Sequence, residues 1–485
     1  MDRIAIEDYG IPGYTLMQGA ASAAFNVLTR QWPEAKKLLV LCGRGNNGAD
    51  GYLLACQAMS AKLDVTVLAM VDPAMLQGDA AQAARAWREL QGHTLNLDDA
   101  DTCLSESDVL IDALLGTGLQ RDVEGEWVTL IEKVNASGKP VLAVDVPSGL
   151  QADTGIVMGA AVRADVTVSY IGLKQGCFTA QGQQHCGKLI FDDLDIPQEI
   201  YAKIRSDKTR LCVNEISTHL PQRKPDCHKG KNGHVLVVGG DHGMSGAVQL
   251  AALGAARAGA GLVSIATRQI HHAMVSANHP ELMSHAIETA GELSVLIKKA
   301  TVIVIGPGLG QSAWGKALFS AALESELPLV VDADGLNLLA SEHVRRGRWV
   351  ITPHPGEAAR LLSGTTRGVQ QNRFKSVREL ADQYNAVAIL KGNGSLIYAP
   401  DQKHTWLCEQ GNPGMATAGM GDILSGIIAA LIAQGLSLEN AARIGVLVHA
   451  SAGDEAAKEG ERGMMATDLL DSIRQYVNPG REVVK

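Results

Sequence analysis

The residues best suited to chemistry lie in one glycine-rich stretch, Gly411 to Gly426, which reads GNPGMATAGMGDILSG. An apolar helix is predicted after it, from about Ile423 to Gln434. A flexible turn that opens a helix directs backbone N–H groups and the positive end of the helix dipole at one point, where a phosphate or another anion can bind. Asp422 lies in the first predicted turn, where its carboxylate can take a proton from a hydroxyl while the amides hold a phosphoryl group. The alternative is a loop with a glycine cap and an acid placed for the dipole.

Two further turns carry candidate ligand-binding residues. Lys391-Gly392-Asn393-Gly394-Ser395 follows a predicted strand from Ala386 to Leu390. A lysine beside flexible amides is a candidate clamp for a nucleotide phosphate, although the spacing is not that of a Walker A loop. A plain turn with a solvated lysine is the alternative. His354 lies between two prolines at another predicted strand end, and this rigidity favours substrate contact over a structural role.

The N-terminal half contains a strand, Lys37 to Leu41, a Gly-x-Gly-x-x-Gly turn from Gly43 to Gly48, and a helix to about Met59. This order is the Rossmann context in which a pyrophosphate meets a helix N-terminus, but the motif alone is weak. Oxygen-bearing side chains follow the predicted strands, where ligands collect in an open α/β sheet. Such a set without Cys or His suits a hard cation, and its low charge suits a monovalent one; simple turn capping is the alternative for two of its acids. The set is Asn46, Asn47, Asp50, Asp112, Asp145 and Ser148.

Strands alternate with helices in both halves, and each predicted strand is followed by a glycine or polar turn and then a helix. This pattern predicts an α/β protein of two domains with open, mainly parallel sheets. The alternation of strands, glycine turns and helices stops between Phe191 and about Pro225. We therefore place the domain boundary near Ser206 and expect domains at 1–206 and 207–485.

Composition limits the classes of function. The 485 residues are 46% apolar and 20% charged, with a net charge of −9, which disfavours nucleic acid and anionic membranes as partners. The eight cysteines are scattered without Cys-x-x-Cys pairs, which disfavours a zinc site and predicts reduced thiols in a cytoplasmic protein. We expect neither a signal peptide nor a membrane span, and we expect a homo-oligomer.

The C-terminal half resembles the ADP- or ATP-dependent NAD(P)HX dehydratases of the ribokinase-like superfamily. Their pattern GN-x-GMA-[ST]-x-G-x-GD is matched by Gly411, Asn412, Gly414, Met415, Ala416, Thr417, Gly419, Gly421 and Asp422. KGNGS at 391–395 resembles the family's adenine-nucleotide loop. The resemblance implies that the hydrated nicotinamide contacts Ala247, Gly308, His354 and Asp422, with Asp422 catalytic. It implies that the nucleotide contacts Lys391, Gly392, Asn393, Gly394, Ser395 and Gly421.

The N-terminal half resembles the NAD(P)HX epimerases, a Rossmann-like three-layer family, through NNGADG, DALLGTG and DVPSG. The resemblance implies a potassium ion held by Asn47, Asp112 and Ser148, and Asp145 as the catalytic acid or base. Ala49 stands where that family usually has glycine. The residues implied to line the hydrated nicotinamide are Asn46, Asn47, Gly48, Ala49, Asp50, Gly116, Thr117, Gly118, Leu119, Gln120, Arg121, Asp122 and Asp145.

Together the resemblances imply a bifunctional metabolite-repair enzyme. Its substrates would be the hydrates of NADH and NADPH and an adenine nucleotide, ADP or else ATP, with Mg²⁺. Two alternative functions are also compatible with the sequence. One is a ribokinase-type small-molecule kinase, and the other is a non-catalytic, Rossmann-like binding role for the N-terminal half.

Overall fold

A computed structural model describes residues 1–478. The chain divides into two compact units between Ser206 and Asp207. Within the described part of the chain, no helix is long and apolar enough to cross a lipid bilayer.

The first unit alternates strands and helices along the chain. Its strands are β1 (Lys37–Cys42), β2 (Asp64–Ala69), β3 (His93–Leu95), β4 (Val109–Ala113), β5 (Val141–Val144), β6 (Val166–Tyr170) and β7 (Lys188–Asp192). Its helices are α1 (Asp2–Glu7), α2 (Gly13–Gln31), α3 (Asn46–Ser60), α4 (Gly78–Glu89), α5 (Ala100–Glu106), α6 (Glu126–Ala136), α7 (Gly182–Cys186) and α8 (Gln198–Lys203).

These strands form one parallel sheet in the order β3-β2-β1-β4-β5-β6-β7. Alternate residues of β1 belong to different cores, because Leu38 and Val40 pack with α2 and α3 while Leu39 and Leu41 pack with α5 and α6. Helices therefore cover both faces of a doubly wound sheet, as the sequence predicts. The strand order reverses between β1 and β4, and a crevice for ligands is expected at that point.

The second unit is built in the same way around a larger sheet. Its strands are β8 (Lys208–Arg210), β9 (His234–Val238), β10 (Leu262–Thr267), β11 (Met283–Ala286), β12 (Val302–Ile305), β13 (Leu329–Val331), β14 (Trp349–Ile351), β15 (Val387–Leu390), β16 (Ser395–Ala399) and β17 (His404–Cys408). Its helices are α9 (Glu215–His219), α10 (Ser245–Arg257), α11 (Gln269–Asn278), α12 (Ala290–Ile297), α13 (Ala313–Glu324), α14 (Asp334–Glu342), α15 (Pro355–Leu361), α16 (Thr366–Gln371), α17 (Arg373–Tyr384), α18 (Met420–Ala433), α19 (Leu438–Ala456) and α20 (Leu469–Tyr476).

The second sheet runs β11-β10-β9-β12-β13-β14-β15-β16-β17-β8. One prediction is wrong here: the turn after β15 leads not into a helix but into β16, which is antiparallel to both β15 and β17. A tight glycine turn serves a β-hairpin as well as a strand-to-helix connection, so the local pattern does not distinguish them.

Close packing of α10 against α18 fixes the helix that carries Asp422. A Cβ on Gly426 would lie 1.9 Å from the carbonyl oxygen of Ala251, and one on Gly254 would lie 2.5 Å from that of Ile423. Since no side chain fits at either glycine, the two helices approach with their backbones almost in contact. This contact holds the N-terminal turn of α18 in one place.

Candidate functional site

The first candidate site forms where the loops after β1 and β4 meet. A Cβ on Gly43 would lie 1.8 Å from the carbonyl oxygen of Leu114, and one on Gly48 would lie 2.1 Å from that of Gly43. Both positions therefore require glycine. Ala49 is buried in α3 without a positive φ, so it replaces the family's usual glycine without backbone strain.

The three residues predicted to hold potassium converge near the carbonyl oxygen of Leu115. The Ser148 hydroxyl donates to Asp112 Oδ1 at 2.5 Å, and the Ser148 amide donates to Oδ2 at 2.7 Å. Asn47 Nδ2 donates to the Leu115 oxygen at 3.1 Å, and Ser148 Oγ lies 3.2 Å from the same oxygen. Asp112 is fully buried, and burial raises its pKa to about 6 against the effect of these hydrogen bonds. The cluster offers amide, hydroxyl, carbonyl and carboxylate oxygens with one formal charge.

A cavity of about 730 Å³ opens beside this cluster. Most of the residues predicted to contact the substrate line it, whereas Gly48 and Ala49 are buried in α3 and Asp122 is exposed outside the lining. The predicted residues that line it are Asn46, Asn47, Asp50, Gly116, Thr117, Gly118, Leu119, Gln120, Arg121 and Asp145.

Asp145 lies at the end of β5 and takes a positive φ of 66°, which is uncommon for a residue other than glycine. Its Oδ1 forms an ion pair with Lys174 Nζ and accepts the Tyr170 amide at 3.3 Å. Lys174 also donates to the carbonyl oxygen of Tyr170 at 2.9 Å. Sequence reasoning missed Lys174 as a site residue, although it lies in the polar turn after β6, where the same strand-end argument applies.

Asp50 and the Tyr170 ring complete the polar wall of the cavity. Burial raises the pKa of Asp50 well above its usual range, with a further increase from Asp145, while Lys174 opposes it. The Tyr170 hydroxyl is buried and has no hydrogen-bond partner among residues 1–478. The cavity therefore contains one carboxylate paired with a lysine and one carboxyl whose surroundings favour the protonated form.

In the glycine-rich stretch of the second unit, two of the amides predicted to face an anion bind protein oxygens instead. The amide of Gly411 donates to Asp454 Oδ2 at 3.0 Å, and that of Gly414 donates to Asn412 Oδ1 at 3.0 Å. Asn412 Nδ2 in turn donates to Asp454 Oδ1 at 2.9 Å. These amides bind protein oxygens, so the part of the stretch that could bind an anion is its end, from Gly419 to the first turn of α18.

Asp422 lies in that first turn among other charged groups. Burial raises its pKa to about 7, with further increases from Asp332, Asp334 and Glu357, and Lys391 opposes them. A carboxyl group with a pKa near neutrality suits a general base at physiological pH. Sequence reasoning predicted Asp422 but none of the three acids around it. Asp332 directly follows β13, Asp334 begins α14, and Glu357 lies in the first turn of α15.

Lys391 contacts carboxylates directly. Its Nζ lies 2.8 Å from Asp332 Oδ1 and 4.0 Å from Glu357 Oε2. Asp332 is buried, and its Oδ2 accepts the Ser425 hydroxyl at 2.6 Å. Burial raises the pKa of Asp332, but the charge of Lys391 and these hydrogen bonds outweigh it and lower the pKa overall. Lys391 is thus held beside α18 as a cation rather than solvated in a plain turn.

The predicted nucleotide loop, 391–395, is the β15–β16 turn, and a buried arginine shapes it. The Arg373 guanidinium donates to the carbonyl oxygens of Leu390, Lys391 and Gly394 at 3.2 to 3.3 Å. Gly392 and Gly394 have φ values of 134° and 65°, which favour glycine. Ser395 begins β16 and donates to the Gly392 oxygen at 3.1 Å. In the sequence, Arg373 looks like a surface residue of a helix and gives no signal of this role.

His354 caps α15 with its ring. Its Nδ1 accepts the amide of Gly356 at 2.9 Å, so the neutral ring carries its proton on Nε2. Burial and then Lys391 and Arg360 lower the pKa of His354, which favours that neutral form. The His354 side chain is half exposed, and its Nε2 lies 3.5 Å from Glu357 Oε1.

Ala247 and Gly308 lie together where the second sheet reverses its order, between β9 and β12. A Cβ on Gly308, whose φ is 56°, would lie 3.2 Å from the Cβ of Ala247. The loop continues to Gly310, whose amide donates to Asp334 Oδ2 at 2.9 Å. Since Asp334 is one of the acids that raise the pKa of Asp422, the Gly308 loop adjoins the Asp422 cluster.

Comparison with known families divides the chain in two. Residues 13–176 match the family described as YjeF-related protein N-terminus, and residues 235–475 match the family described as NAD(P)H-hydrate dehydratase. A solved ribokinase-like superfamily protein from Enterococcus faecalis V583 is 26% identical with a TM-score of 0.53, covering 56% of this chain and 96% of that one. The second unit therefore has the ribokinase-like fold.

Full-length relatives extend this result to the whole chain. The bifunctional NAD(P)H-hydrate repair enzyme Nnr of Coxiella burnetii is 48% identical over 99% of this chain and 98% of its own. The protein of the same name from Escherichia coli K12 is 41% identical over 99% of this chain and 92% of its own. On this similarity, the chain belongs to the family of bifunctional NAD(P)H-hydrate repair enzymes.

Proposed function

We propose that the protein repairs hydrated NADH and NADPH in two steps. The unit Met1–Ser206 interconverts the R and S epimers of the hydrate, and the unit Asp207–Lys485 dehydrates the S epimer at the expense of ADP, with ATP as the alternative nucleotide. Family membership supports both activities. The single structural observation that carries the proposal is the position of Asp422 at the N-terminus of α18, beside the cation Lys391.

Dehydration needs activation, because the ring hydroxyl is a poor leaving group. A ring hydroxyl leaves slowly, but transfer of a phosphoryl group to its oxygen allows it to leave as phosphate, and loss of a ring proton then restores the reduced nicotinamide. Asp422 takes the hydroxyl proton during the transfer, and its pKa of about 7 suits that step. Lys391 and the amides at the start of α18 stabilise the charge of the phosphoryl group.

The acids around Lys391 fit the Mg²⁺ that accompanies such nucleotides. Within residues 1–478, no three His, Cys, Asp or Glu side chains form a ready-made metal cluster. Mg²⁺ commonly binds through one or two carboxylates together with substrate phosphates. Glu357 would hold it through Oε1, because its Oε2 accepts the His354 amide and both oxygens of Asp332 accept hydrogen bonds, from Lys391 and Ser425. When bound, the ion neutralises phosphate charge.

In the epimerase unit, Asp145 is the catalytic acid or base in the cavity. Asn47, Asp112, Ser148 and the Leu115 carbonyl would hold K⁺, and their oxygen-rich, singly charged set fits a monovalent cation. The bound ion supplies positive charge to buried Asp112. The homo-oligomer and the cytoplasmic location expected from the sequence stay predictions.

The test follows the return of reduced-nicotinamide absorbance from a mixture of both epimers, with ADP, with ATP and without nucleotide. Wild type should recover all of the absorbance with nucleotide. Asp422→Asn should recover no absorbance. Asp145→Asn should recover only the absorbance that corresponds to the S epimer present at the start. Asp401→Asn, an exposed acid of the second unit, is the matched control and should behave as wild type. No recovery with any nucleotide would refute the repair function, and a stable phosphorylated product would indicate a kinase.

A further inference from the structure

The cavity of the first unit holds two carboxyl groups in unlike surroundings. Asp50 on α3 and Asp145 after β5 both line it. Lys174 forms an ion pair with Asp145, and its other hydrogen bond goes to the carbonyl oxygen of Tyr170. No hydrogen bond or ion pair in the described chain, residues 1–478, engages the carboxyl group of Asp50. One acid is therefore fixed by a cation, and the other faces the cavity without a partner.

We propose that Asp50 is the proton donor of the epimerisation and that Lys174 is the positioning residue that holds Asp145 as the matching base. The inference rests on the epimerase activity proposed above. It adds a second proton-transfer group and the residue that distinguishes the two acids.

The paired acids account for inversion by ring opening and reclosure. Asp145 takes the proton of the ring hydroxyl. The bond between the hydroxyl-bearing carbon and the ring nitrogen breaks, and the hydroxyl oxygen becomes a carbonyl oxygen. The electron pair of the broken bond goes to the nitrogen, which receives a proton from Asp50. After rotation about the adjacent carbon–carbon bond, Asp50 takes its proton back, the nitrogen attacks the other carbonyl face and Asp145 returns its proton to the oxygen. Nothing is oxidised or reduced, and both acids end as they began.

The charges around the pair favour this division of roles. Burial, then the charges of Asp145 and Asp2, raise the pKa of Asp50, and Lys174 lowers it less. The Tyr170 hydroxyl stays neutral, because burial and nearby acids raise its pKa well above the usual range. A carboxyl group kept protonated by its surroundings, next to a carboxylate held by a cation, can supply the acid of an acid–base pair. The other charged side chains that line the cavity or act on Tyr170 are Arg44, Asp79, Arg121 and Asp192.

The experiment uses the full chain and one purified epimer without nucleotide. Chromatography follows interconversion across a range of pH, and the enzyme-free rate is subtracted. Asp50→Asn should lower the rate about 100-fold or more and abolish its decline at alkaline pH, since asparagine has the shape of a protonated aspartate but donates no acidic proton. Lys174→Met should lower kcat with little change in KM, because Asp145 loses the cation that positions it. Lys174→Arg should restore most of the rate.

The controls separate this inference from the epimerase assignment. Asp8→Asn and Lys203→Met remove an exposed ion pair of the same unit and should keep the wild-type rate. A wild-type chain that does not interconvert the epimers refutes the assignment itself, before any variant is compared. If wild type is active, the inference is overturned by an Asp50→Asn variant that keeps its rate and its alkaline decline, or by a Lys174→Met variant that keeps the wild-type kcat.

Discussion

Lys391 Nζ lies 2.8 Å from Asp332 Oδ1 and joins the ends of β15 and β13, which lie on either side of β14. Gly421 lies against both partners, since a Cβ there would be 3.2 Å from Nζ and 3.4 Å from Asp332 Oδ2. The ion pair therefore connects two strand ends to the helix turn that carries Asp422.

Replacement of Lys391 should destabilise the second unit. Lys391→Met leaves Asp332 buried without its cation, so the free energy of unfolding should fall by about 3–5 kcal/mol, and nucleotide-dependent dehydration should be lost. Urea unfolding measures the first effect. Lys375→Met, which removes an exposed pair with Glu379, is the matched control and should cost about 0.5 kcal/mol or less. Equal stability of the two variants would contradict the importance of the buried pair.

The pKa of Asp422 predicts opposite effects of pH on rate and stability. Dehydration should accelerate as the pH rises through about 7, because the carboxylate form is the base. The pKa is raised from 3.8 in the folded state, so the folded protein binds this proton more tightly than the unfolded chain does. The stability that this proton provides is complete below the unfolded pKa and is lost as the pH rises through the folded one.

Asp422→Asn should therefore be inactive yet gain melting temperature relative to wild type as the pH rises. Melting curves of both proteins below and above the folded pKa check this. A difference in melting temperature that is the same at both pH values would contradict the raised pKa.

Arg373 should govern nucleotide binding from behind the β15–β16 turn. Arg373→Met leaves three loop carbonyl oxygens without their donor, so we expect the KM for ADP to rise and stability to fall by about 3 kcal/mol. Arg373→Lys should restore little, because a single ammonium group cannot replace a guanidinium whose Nη1 binds Gln370 Oε1 while Nη2 binds the loop carbonyl oxygens. Steady-state kinetics with ADP at saturating hydrate measure the KM. An unchanged KM for ADP would show that the β15–β16 turn does not affect nucleotide binding.

Ser148 provides a test of the potassium site. Ser148→Ala removes the hydroxyl that bonds Asp112 and should weaken the dependence of epimerisation on K⁺. Rates in K⁺ and in a large organic cation, at equal ionic strength, should differ for wild type and converge for the variant. If wild type has the same rate in both salts, the proposed potassium site plays no part in the reaction.

The sequence predicted what depends on local pattern. Alternation of apolar strands with glycine turns was enough for the doubly wound sheets, and Asp422 was evident from its position in the first turn after a glycine run. The Asp332–Lys391 pair was not evident, because the partners are 59 residues apart and meet only through the order of the strands. The roles of Asp454 and Arg373 were missed for the same reason, since each lies on a helix and binds a distant loop.

The position of β8 has a practical consequence for anyone who wishes to express the dehydratase unit alone. This short strand pairs in parallel with β17 and forms the outer edge of the second sheet, and the Leu211 amide extends the pairing to Leu407. A chain that begins at Leu211 would lack this cover and present the hydrogen-bonding edge of β17 to solvent, where strands of other molecules can add and cause aggregation. A truncated protein that keeps Asp207 and the strand after it should stay monodisperse where the shorter one precipitates.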